Sequence, residues 1–151
     1  MRNTGFTLTE LVVTIAIMGI LAVAVIPRLT DRLWVDARGH GDRLRAVVQY
    51  AQKIAIAQRR NACVSFSSGT ATVQMAASAG AAVACTANTI DPINGASPFV
   101  LAPPDGVTVA PSAATLSFDA LGASAGTVTV SVTGAGATKV ITVEGVTGHV
   151  H

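Results

Sequence analysis

The chain has 151 residues, enough for one globular domain and an appendage. Half of them are hydrophobic and only 4% aromatic, so small aliphatic side chains must build the core. A formal charge of +2 is too small to single out a nucleic acid or any other partner by itself. Its placement says more. From 28 to 60, Arg28, Arg32, Arg38, Arg43, Arg45, Lys53, Arg59 and Arg60 outnumber Asp31, Asp36 and Asp42. From 61 onward Lys139 stands against Asp91, Asp105, Asp119 and Glu144. A basic stem carries a mildly acidic head, which suits stem-to-head packing between copies.

The first element follows a five-residue leader, Met1–Gly5. Phe6 to Ile26 is largely apolar, carries no charge but Glu10, and as a helix would reach about 31 Å, close to the hydrocarbon thickness of a bilayer. The run is too long for a cleaved secretory signal, and Pro27-Arg28 follows it in place of a small-x-small site. It is predicted to remain as an anchor. Arg2 lies before the run and Arg28, Arg32 and Arg38 soon after it, so charge counting does not set the topology. Thr7-Leu8-Thr9-Glu10 fits a capping box, with the acid at the positive end of the helix dipole. Capping alone leaves unexplained why a charge stands at the edge of a lipid-seeking helix. Pro27 either ends this helix or bends it.

The segment "GFTLTELVVTIAIMGILAVAVIP" resembles the N-terminus of type IV prepilins and of the pseudopilins of type II secretion. The resemblance implies that a prepilin peptidase/methyltransferase cuts between Gly5 and Phe6 on the cytoplasmic side and methylates the amine of Phe6. It also implies a kinked or loosened helix at Pro27, and it matches Glu10 to the family's glutamate, the fifth residue after the cut. A new amine on Phe6, buried among apolar helices in a filament, is costly unless paired. Glu10 of a neighbouring subunit would neutralise it and set the axial register.

Beyond Pro27, Leu29, Leu33, Ala37, Leu44, Val48, Ala51 and Ala55 keep helical spacing, with Arg43, Gln49, Lys53 and Arg60 on other faces. This predicts an amphipathic stem helix over 28–60 that packs one face on a sheet. Gly39-His40-Gly41 should weaken or bend it, with His40 as a solvated side chain rather than a ligand.

From Ala62 the period shortens. "ACVSF" and "TATVQM" flank Ser67-Ser68-Gly69, a hairpin signal. "TVTVSVT" over Thr127–Thr133 alternates strictly, and "KVITV" follows after "GAGA", a second hairpin. Residues 76–98 and 102–113 read as loops. Cys63 and Cys85, an even pair behind a membrane-targeting segment, fit one disulfide in an oxidising compartment, the alternative being two unrelated buried thiols. A disulfide places the 61–151 head outside the cytoplasm.

A long helix followed by an antiparallel sheet is an α+β arrangement and matches pilin architecture. More narrowly, "DARGHGDRLRAVVQYAQKIAIAQRRNACVSF" and "GTVTVSVTGAGATKVITVEGVTGHV" resemble the GspH/FimT group of minor pseudopilins. The implied protein is a minor subunit of a type II secretion pseudopilus or a type IV pilus. It would sit in the bacterial inner membrane with a periplasmic head, then join other pilins or pseudopilins in a filament. DNA-binding members of the group often end in Gly-Arg-x-Arg, whereas this chain has Gly148-His149-Val150-His151. Two histidines supply little charge at neutral pH, so DNA uptake, with Arg43 and Arg45 as contacts, ranks lower. A signal-anchored periplasmic binding protein that never polymerises is the alternative from another class.

Chemistry has no positive support. Gly134–Lys139 lacks Walker spacing and a following helix, so it reads as a turn. His149 and His151 would share a strand face, but a third metal ligand is not in view. Neither a cofactor nor an enzymatic activity is expected.

Overall fold

A computed structural model describes residues 7–80 and 84–151, the stretch 22–31 by its backbone alone. One helix, α1 (Leu8–Gln58, 51 residues), precedes eight strands. At 1.5 Å per residue α1 is about 77 Å long. Its start is capped by the Thr7 hydroxyl, which accepts from the Glu10 N–H at 3.3 Å. Its end is closed by Arg59 in the left-handed region (φ 51°), whose N–H donates to the Ala55 and Ile56 carbonyls.

The helical backbone runs on through Pro27, so the proline does not end it; the Pro27 side chain lies outside the described residues. Nor is the helix interrupted at Gly39-His40-Gly41. Gly41 is buried, and a Cβ there would come within 2.7 Å of the Lys139 side chain. The missing side chain admits a close neighbour from the sheet. His40 is also buried, not solvated as its glycine neighbours suggested. It lies three residues after Ala37 and four before Leu44, so the helix turns it into the same core-facing stripe.

Strands β1 (Ala62–Ser67), β2 (Thr70–Ala76), β3 (Cys85–Asn88), β4 (Phe99–Leu101) and β6 (Thr115–Phe118) form the first sheet, in the order β3-β2-β1-β6 with β4 also on β2. Strands β5 (Thr108–Pro111), β7 (Val128–Gly134) and β8 (Ala137–Val143) form the second, in the order β5-β7-β8. Every pairing is antiparallel. Both predicted hairpins are present. Their turns, Ser68-Gly69 and Ala135-Gly136, carry positive φ at both residues, which matches the twist of the strands they join. The predicted loops hold more order than expected: β3 lies within 76–98 and β5 within 102–113. Both are four-residue strands without an alternating apolar run, and their registers come from neighbours already in place.

Ala37, Leu44, Val47, Val48, Ala51 and Ala55 of α1 close one core with Val64, Val73, Leu116 and Phe118 of the first sheet and Val130, Val132, Ile141 and Val143 of the second. Alanine at 37, 51 and 55 lets the helix approach both sheets closely. Leu33, predicted on this stripe, stays 37% exposed, at the edge where packing begins.

Candidate functional site

Below the core the apolar helix has nothing to pack on. Leu8, Leu11, Val12, Val13, Ile15, Ile17, Met18, Ile20 and Leu21 are all exposed, by between 51% and 79%. Successive residues are open on every side of the helix, so the surface is apolar all round rather than a stripe, the pattern of a helix that is covered by something else. Among the described residues no helix is long and apolar enough to cross a membrane. The predicted run reaches past that description at both ends, and Gly5 and Phe6 lie outside it. Glu10 is exposed in the first turn of α1. Among the described residues the ion pairs are Lys139–Asp42 and His151–Glu144, and Glu10 is in neither.

The stem above it is polar and locally paired. The Arg38 guanidinium lies 4.0 Å over the Trp34 ring, a cation–π contact. Asp42 bonds Lys139 of β8; that hydrogen bond and the lysine's charge hold its carboxyl below the usual range. Arg43 is exposed at one end of a groove of about 460 Å³ between α1 and the 91–94 segment, floored by Val47, Tyr50 and Phe99. Arg45 is not free for a ligand in the same way: its Nη2 donates to the Val150 carbonyl at 3.1 Å. The two arginines named as nucleic-acid or partner contacts therefore differ in role.

Cys63 and Cys85 form a disulfide that joins β1 to β3 across β2. At the other end of the head, Val150 bridges Val143, adding the last residues to the edge of the second sheet. Gln52 Nε2 donates to the Gly122 carbonyl at 2.9 Å, and Gly148 packs so closely that a Cβ would meet that same oxygen at 2.0 Å. Gln52, Gly122 and Gly148 had no distinguishing signal in the sequence; His40 did, in its spacing from Ala37 and Leu44.

Among the described residues no three His, Cys, Asp or Glu side chains converge to hold a metal ion. Gly134–Lys139 is the β7–β8 turn.

Comparison with known proteins fits this geometry. The model of the prokaryotic N-terminal methylation motif matches residues 1–26, and that of type II transport protein GspH matches residues 40–147. No curated protein sequence matches the chain. Among solved structures it is similar to the type IV minor pilin FimU of Pseudomonas aeruginosa in two crystal forms. The P21 form aligns with a TM-score of 0.57 at 16% identity, over 82% of this chain and 90% of that one. The P65 form gives 0.54 at 17%, over 76% and 90%. At such identities the likeness shows the fold: a pilin-like α+β arrangement.

Proposed function

The chain belongs to the GspH family of type II transport proteins, and from that premise we propose that it is a minor pilin or pseudopilin, a non-catalytic filament subunit assembled through its apolar N-terminal helix. The observation that carries this reading is the helix surface from Leu8 to Leu21, apolar on every side and uncovered by the protein's own head. Such a surface needs lipid or other helices around it. Lipid of the inner membrane covers it in storage, with the head in the periplasm, and neighbouring pilins cover it in the filament. In that scheme residues 1–5 are a leader, 6–27 the membrane and assembly segment, 28–60 the stem and 61–151 the head. The filament is a type II secretion pseudopilus or a type IV pilus; the family model favours the first and the FimU fold the second.

Processing supplies the mechanism. Prepilin peptidase/methyltransferase cuts between Gly5 and Phe6 and methylates Phe6, leaving a charged amine at the tip of the apolar helix. Glu10, exposed near that tip, pairs with the amine of an adjoining subunit, which removes the cost of burying either charge alone. Pro27 provides the bend between membrane segment and stem. Mass spectrometry of the mature chain should find methylated Phe6 first, and Glu10→Ala should abolish incorporation into filaments while leaving cleavage intact. An intact Met1, or normal incorporation of that variant, contradicts the reading and favours a signal-anchored periplasmic binding protein. Exposed Arg43 keeps DNA as a second ligand; that role requires salt-sensitive binding lost when Arg43 and Arg45 are neutralised.

A further inference from the structure

Trp34 is the single tryptophan of the chain, and it stands exposed on the stem just beyond the apolar segment. Resting on the membrane storage proposed above, we infer that Trp34 and Arg38 form an interfacial anchor, held in the phosphate layer of the bilayer on the side of the head.

The two residues are four positions apart on α1, and so are neighbours on one flank of the helix. With the Arg38 guanidinium 4.0 Å from the centre of the Trp34 ring, a charge whose backbone lies a turn higher is drawn down to the level of the indole. Trp34 is 41% exposed and Val35 57%. An indole carrying a cation offers an apolar body and a charged rim. That combination suits the zone between acyl chains and phosphates, where tryptophan gathers in membrane proteins. The surface is also the next exposed apolar patch along α1 after Leu8–Leu21 among the described side chains.

Axial position agrees. A Cβ on Gly106 would meet the Leu33 side chain at 2.8 Å, and one on Gly134 would meet the Leu33 carbonyl oxygen at 3.0 Å. The loops at these glycines therefore form a lower rim of the head at the level of Leu33. Trp34 follows Ile26, the end of the apolar run, by eight positions, about 12 Å of helix. Helical side chains lean toward the N-terminus and cover the preceding turn, about 5 Å lower. With Ile26 at the hydrocarbon edge, the ring lies about 7 Å beyond it, and the headgroup layer is about 5–7 Å deep on each side. Charge at this level is balanced, since Arg32 and Arg38 are exposed along with Asp36 and Asp105. The partner is therefore the phosphate oxygen common to all phospholipids, met by the guanidinium at short range, and not an anionic lipid drawn by net charge. Held there, the indole would fix the depth of the helix and keep the head clear of the acyl chains.

Fluorescence of the full chain, one copy per phosphatidylcholine nanodisc, tests this, because all tryptophan emission comes from Trp34. A nitroxide on the lipid headgroup should quench that emission at least about twofold more than bromine deep in the acyl chains. Arg38→Gln should cut the headgroup quenching by about half with the circular dichroism unchanged, and adding phosphatidylglycerol should leave it unmoved. Protease protection of 8–21 in the same discs reports insertion separately. A protected segment with Trp34 emission insensitive to the headgroup nitroxide overturns the anchor and leaves membrane storage standing. An unprotected segment overturns membrane storage, and the anchor with it. Undiminished quenching in Arg38→Gln overturns the role of the guanidinium; quenching that requires phosphatidylglycerol overturns the common phosphate as partner.

Discussion

A buried histidine between two glycines should make the stem–head contact sensitive to acid. His40 is 5% exposed, and its Nε2 has no hydrogen-bond partner. Burial first, and the charge of Arg43 second, hold its pKa below the ordinary value. Asp36 and Arg43 from α1 and Ala102–Pro104 from the loop beyond β4 line the space beside it. The unfolded chain, with its imidazole near pKa 6.5, binds the proton first. Stability is therefore full above about pH 6.5 and declines as pH falls toward the lowered folded value. Urea unfolding of the soluble part at pH 7.5 and pH 5.5 should show this decline, and His40→Gln should flatten it. An equal slope in the variant would assign the acid sensitivity elsewhere. Glycines offer a second contrast. Gly148 has φ +64° and no room for a Cβ, whereas Gly126 has open space and no positive φ. Gly148→Ala should cost more than about 1 kcal/mol and Gly126→Ala less than about 0.5 kcal/mol in unfolding free energy.

Among the elements, those with strong periodicity were legible in the sequence and those defined by their neighbours were not. The α1 stripe at Ala37, Leu44, Val48, Ala51 and Ala55 and the Val128–Val132 alternation follow from spacing alone, because one face of each must be buried. β3 and β5 carry little alternation; what makes them strands is the free edges of β2 and β7, which no local window contains. The glycine interruption misled for a related reason: Gly41 costs helix propensity but admits Lys139, and packing outweighs about 1 kcal/mol of propensity. β3 also depends on its covalent tie. The Cys63–Cys85 link spans 22 residues, for which loop-closure entropy gives a stabilisation of about 3 kcal/mol. Replacing both cysteines by serine should lower unfolding free energy by about 2–4 kcal/mol, with the largest gain in amide exchange over 84–88. Uniform loss of protection would instead mean that β3 opens only with the whole head.

At the scale of the whole molecule, the two ends of one helix have different surroundings: one packs on the head and the other is bare. From Ala37 to Ala55 α1 contributes to the only large core among the described residues, while Leu8 to Leu21 contributes nothing to it. The N-terminal methylation motif was recognisable in the sequence because a long apolar run and a glycine–phenylalanine–glutamate spacing are local properties. The head's surfaces were not, since they arise where distant residues meet, as with Arg45 and Val150, which are 105 positions apart. This division predicts that the head folds without the apolar segment. Residues 29–151 retain every buried core side chain among the described residues, and none of Leu8 to Leu21 is one of them. The truncated chain should be soluble without detergent and unfold in one cooperative urea transition. Its midpoint should match, within about 0.5 kcal/mol in free energy, that of the full chain in micelles followed by Trp34 fluorescence and far-UV circular dichroism. A truncated chain that lacks a cooperative transition would mean that the apolar helix supports the head as well as anchoring it, and the separation of storage, assembly and folding along α1 would fail.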